Sequence, residues 1–154
     1  MRGARVAVRV SVEAVLPSPP ARAWEVLVRW EEQARWMADV RELRVLSPHR
    51  QGLGVRIAAR TAVLGVPAFT DVLEVVGWEP PSLLRVEHVG VVRGTGEWRL
   101  EPVGGATRFA WTEDVRLALP FLGRVALLAY RPVLARLMRR GVSRLQALVR
   151  SEAT

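Results

Sequence analysis

The stretch EWRLEPVGGATRFAWTEDV, Glu97 to Val115, decides the fold. Two alternating runs flank PVGGAT, whose Gly104 and Gly105 suit a hairpin turn. Strand periodicity puts Phe109, Trp111, Glu113 and Val115 on one face of the second run. On the first run the matching face carries Gly94, Gly96, Trp98 and Leu100, while Arg99, Glu101, Arg108 and Asp114 take the outer faces. A lone carboxylate, Glu113, thus interrupts an aromatic row.

Upstream, the pattern continues as strands from Val40 to Leu117, separated by SPHRQGLG, LGVP (64–67), GWEPPS, GVVRG and PVGGAT. Pro80 and Pro81 are barred from central strand positions. The N-terminal region adds one more strand, with Val6, Val8, Val10, Val12 and Ala14 on one face. PSPPARAW ends it. Ser18 suits a helix cap and Pro19 or Pro20 the first turn of a short helix carrying Trp24, Leu27 and Val28. A second short helix is expected around Glu31 to Met37. From Pro120 to Arg150 apolar residues recur at helical spacing, at Leu127, Tyr130, Leu134, Leu137, Met138, Leu145 and Leu148. Arg136, Arg139, Arg140, Arg144 and Arg150 cover the other face, and Pro132 predicts a kink or short break near Arg131. The result is an α+β domain over residues 1–154. Seven mostly antiparallel strands form one curved sheet around a long C-terminal helix, with two short helices between strands one and two.

Half of the 154 residues are apolar and a quarter charged, which describes a globular chain. No apolar run reaches the ~18 residues of a membrane span, and the alternating MRGARVAVRV does not read as a signal peptide. The absence of cysteine excludes thiol catalysis and disulfides and fits a cytoplasmic protein. All 23 basic side chains are arginine, and the net charge is +8. Such a surface attracts nucleic acid or acidic proteins in general. No zinc finger, RNP-type strand or clear helix-turn-helix accompanies it, so those partners are not favoured.

This element order, and the residues on it, resemble the START-like superfamily, the Bet v 1-like or SRPBCC helix-grip fold, and within it the polyketide cyclase/dehydrase-like branch. The resemblance runs through VLPSPPARAWEVLVRWEEQARWMADV, GLGVRI, VVGWEPPSLLRVEH, GTGEWRLEPVGGATRFAWT and LPFLGRVALLAYRPVLARLM, nearly the whole chain. One departure is Arg29-Trp30, where many members carry an acidic residue. The resemblance implies a deep cavity between sheet and long helix, open to a flat or greasy molecule such as a lipid, a quinone or a polyketide-like compound.

The inward faces then supply the candidate contacts: Trp36, Met37, Trp98, Phe109, Trp111, Glu113, Tyr130, Leu134 and Met138. Trp24 reads as core. Glu113 either pairs with an arginine, perhaps from strand three, or stands in the cavity as an acid, base or anchor. His88 shares its parity with Leu84 and Val86; it is either a satisfied core residue or, if it lines the cavity with Glu113, one half of an acid/base pair near neutral pH. Arg60 is a candidate only if it points inward, against the bland choice that it and Arg56 face solvent. With His49 in a loop there is no metal-ligand cluster, and no metal or cofactor is expected. Three functions follow. The first is binding of a small hydrophobic or aromatic ligand. The second is a metal-free cyclase or dehydratase using Glu113, His88, Arg60 or Tyr130. The third is a module whose Arg136, Arg139, Arg140 and Arg144 meet RNA, the ribosome or an acidic protein.

Overall fold

The structure, a computed structural model, describes residues 7–63, 66–90, 92–117 and 123–152. Val6, the turn residues Leu64 and Gly65, Val91, the expected helix start at Pro120 and the side chain of Leu127 lie outside the described residues. The elements run β1 (Ala7–Leu16), α1 (Pro20–Leu27), a 3-10 helix (Trp30–Arg35), β2 (Val40–Val45), β3 (Arg56–Val63), β4 (Val66–Glu79), β5 (Leu83–Val89), β6 (Val92–Val103), β7 (Ala106–Leu117) and α2 (Gly123–Glu152). The seven strands form one curved antiparallel sheet in the order β1-β7-β6-β5-β4-β3-β2. This is the helix-grip fold that the pattern predicts.

The hairpin of Glu97 to Val115 pairs Trp98 with Trp111, Gly96 with Glu113 and Leu100 with Phe109. The parity read from the sequence therefore holds across β6 and β7. Leu16, Leu27, Trp36, Ile57, Phe109, Met138, Leu145 and Val149 are fully buried. The C-terminal half of α2 closes this core, and its first half roofs a space above the sheet. The helix runs as one element through Pro132, without the short break that is one of the two outcomes expected near Arg131. Pro132 has no N–H to give the Leu128 carbonyl, and both residues lie on the exposed side of the helix, where such a loss is tolerated.

Two further differences have local causes. Ser18 does not cap α1. Pro19 takes that position, with Pro20 next, and the Ser18 carbonyl accepts from the Thr107 hydroxyl at 2.7 Å. The connection expected at GWEPPS is shorter, because β4 continues to Glu79. A register shift between Val75 and Gly77 turns Trp78 to the inner face. There it meets Trp24, with ring centroids 5.2 Å apart, and Trp30 at 6.4 Å.

Candidate functional site

Between sheet and α2 lies a cavity of about 350 Å³. Its walls are mainly apolar, with Trp98 and Trp111 on the sheet, Trp30 on the 3-10 helix, and Tyr130, Leu134 and Met138 on α2. Its polar groups come from different elements. Asp39 precedes β2, Asp71 lies on β4, His88 on β5 and Glu113 on β7. Asp71 shares its strand face with Leu73, and Leu73 pairs directly with His88. His88 pairs with Gly94, and the next inward position of β6 is Gly96, opposite Glu113. Neither glycine has a side chain, so Glu113 reaches across β6 toward β5. A Cβ on Gly96 would lie 2.8 Å from Glu113 Oε1.

His88 is held on both sides. Nδ1 donates to Asp71 Oδ2 at 2.6 Å, and Nε2 donates to Glu113 Oε2 at 3.0 Å. Two carboxylate acceptors need two ring protons, so the ring is an imidazolium. Burial opposes that charge, but the hydrogen bonds and charges of Asp71 and Glu113 override it and push the His88 pKa up to about 10. The indole N–H of Trp111 donates to Glu113 Oε1 at 2.8 Å, which fixes the carboxylate from the other side. Asp39 is raised to about 6, chiefly by burial, with Glu113 and Asp71 adding repulsion. Burial, then Asp39 and Glu113, push Tyr130 up to about 12, so its hydroxyl stays protonated. No arginine is among the described residues that line the cavity, and no group of three or more His, Cys, Asp or Glu side chains placed to hold a metal ion occurs among the described residues.

A family profile described as polyketide cyclase / dehydrase and lipid transport matches residues 7–150. The chain belongs to that family. Solved structures of the same fold include a protein from Thermus thermophilus, at 20% identity and a TM-score of 0.80, covering 95% of this chain and 99% of that one. The Zhui aromatase/cyclase from a Streptomyces species has 16% identity and a TM-score of 0.81, with 97% of each chain covered. A START superfamily protein from Mycobacterium smegmatis has 11% identity and a TM-score of 0.77, covering 94% of this chain and 98% of that one. At such identities the likeness shows the fold alone. A comparison with curated protein sequences finds no match.

In this polyketide cyclase / dehydrase family member, Met37, Trp98, Trp111, Glu113, Tyr130, Leu134 and Met138 line the cavity. Trp36 and Phe109 do not. Trp36 is wedged behind the wall against Trp98 and Trp111, with centroids 5.6 and 5.8 Å away, and Phe109 packs on Trp98 at 6.1 Å. Both are core. Arg60 lies on the outer face, where it pairs with Glu42 at 3.2 Å, and Arg56 pairs with Glu74 at 3.4 Å. Arg60 therefore has no place in the cavity. Glu113 pairs with His88, not with an arginine of strand three. Asp39 and Asp71 are the residues that sequence reasoning passed over. Asp71 shares its strand parity with Phe69, Leu73 and Val75, but VPAFTDVLEVV does not show which face is inward; Asp39 sits in a turn and lies on no strand face.

Proposed function

We propose that the protein binds a small, largely apolar, ring-bearing molecule in the cavity and holds its polar group at Asp39 and Glu113. The single observation behind this reading is an indole-walled cavity in which the polar groups of four separate elements converge. The family supports a ligand-binding or cyclase role in general, and the geometry favours a ligand that is flat with one polar end. The test is native mass spectrometry of gently purified protein, with organic extraction of whatever is bound. A co-purifying aromatic or lipid-like molecule, with occupancy reduced in Trp98→Ala and Glu113→Gln, is the expected result. An empty protein that also takes up nothing from a panel of hydrophobic compounds would sink the proposal.

A second reading has one observation in its favour: burial, with repulsion from Glu113 and Asp71, raises Asp39 to about 6, so a protonated fraction persists beside an ionised carboxylate in mildly acidic solution. A dehydratase or cyclase needs such a pair. Glu113 takes a proton from a carbon, neutral Asp39 gives one to the hydroxyl leaving the adjacent carbon, and one water departs as a C=C bond forms. His88 has both nitrogens committed, so it positions Glu113 instead of transferring a proton itself. This reading predicts turnover of a β-hydroxy ketone that Asp39→Asn abolishes with binding retained. Equal turnover by that variant and the parent chain removes Asp39 from the reaction.

A further inference from the structure

The charge inside the cavity opposes the charge outside it. The chain carries a net +8, yet among the described lining residues His88 is the only cation, and two carboxylates already claim it. Asp71, His88 and Glu113 together leave one negative charge, and Asp39 supplies a second when ionised. Asp71 is 6% exposed, and its Oδ1 is buried without a hydrogen-bond partner. A carboxylate offers about four acceptor positions, so Glu113 also keeps free capacity after binding His88 and Trp111. Asp39, Asp71 and Glu113 thus bring acceptor oxygens to the cavity, and no arginine among the described lining residues answers them. Unbalanced negative charge in a mostly apolar enclosure is costly. A ligand that brings a positive charge removes that cost. The faces of Trp30, Trp98 and Trp111 are suited to the same ligand, because an indole attracts both a cation and a flat ring.

We infer that the cavity takes an amine in its ammonium form, joined to a ring-bearing apolar body, with the ammonium set against Asp39, Asp71 and Glu113. The inference rests on the reading of the cavity as a ligand site and names the chemistry of its ligand. Molecules whose polar end is a carboxylate or a phosphate, free fatty acids among them, are rejected by the same charges.

Three probes with one body separate the two ideas: naphthylmethylamine, naphthylmethanol and naphthoic acid, each titrated calorimetrically into the full chain at pH 7. The ammonium probe binds about tenfold tighter than the alcohol or better, and the acid does not bind measurably. Asp39→Asn and Asp71→Asn, each checked for native circular dichroism, shrink the ratio of the amine's affinity to the alcohol's toward one. Asp39 lies outside the His88 pair, so its variant keeps the test usable if Asp71→Asn does not fold. Tight binding of the acid overturns the inference, as does an amine that binds no better than the alcohol; in both cases the ligand cavity itself stands. An amine preference that survives in every folded variant of the two also overturns it. If none of the three probes binds, the cavity reading falls and the inference falls with it.

Discussion

His88 shows how much a single ring can commit a protein to a pH range. Its folded pKa of about 10 exceeds the ordinary 6.5, so the folded state holds a proton that the unfolded chain gives up in between. The stabilisation is complete below about 6.5 and is lost as pH rises through 10. Urea melts of the parent chain therefore show falling stability from pH 7 to 10. His88→Gln is less stable at pH 7 and nearly flat over that window; a parent chain that is itself flat there removes the imidazolium. Asp39 carries the opposite burden. Its pKa rises from 3.8 to about 6, so ionisation in the folded state costs stability, and the loss develops from about pH 4 to 6. Asp39→Asn is accordingly more stable than the parent at pH 8 and equal to it at pH 4, as thermal melts at the two values would read. Of the polar groups, Glu113 and His88 were legible because an odd polar residue on an apolar strand face stands out. Asp71 hid in VPAFTDVLEVV, an almost continuous apolar run in which parity is hard to see.

Strand β6 owes its role to what it lacks. Gly96→Ala forces Glu113 aside, since the new Cβ meets a flexible carboxylate end and not backbone. The variant folds, but the Nε2 hydrogen bond is lost and the His88 pKa drops below its parent value, a change that ring-nitrogen NMR reads directly. An unchanged His88 titration in this variant means Glu113 is not held through the gap. Gly94→Ala is harsher. Its φ is +128° and a Cβ would lie 1.9 Å from the Asp114 carbonyl oxygen. Backbone must move, and the cost is at least about 3 kcal/mol, checked by chemical denaturation. At this scale the sequence is informative, because alternation and turn residues mark each strand. It misleads at GWEPPS, where Gly77 looks like a breaker. There it permits a bulge against Arg85, whose Cβ would lie 2.9 Å from an added Cβ, and Trp78 joins the core.

The whole molecule divides into a solid end and a hollow end. Trp36, with no exposed surface, stands between them and keeps Trp98 and Trp111 upright on the cavity wall. Trp36→Ala loses about 3–5 kcal/mol and lets the wall collapse, whereas Trp36→Phe retains most of the stability; denaturant midpoints of the two variants measure the difference. The division itself was only half legible. The inward stripe of α2 is continuous in sequence, and nothing in its spacing says that Tyr130 and Leu134 border space while Leu145 and Val149 border neighbours. Only the tilt of the helix over a curved sheet decides that. The sheet, finally, is open at β2, whose short VRELRV presents Arg41, Glu42 and Arg44 to water and carries a register shift between Val40 and Glu42. A neighbouring chain that tried to add its own strand there would meet charges of both signs on a kinked rim. The molecule can therefore be concentrated without stitching itself into fibres from that side.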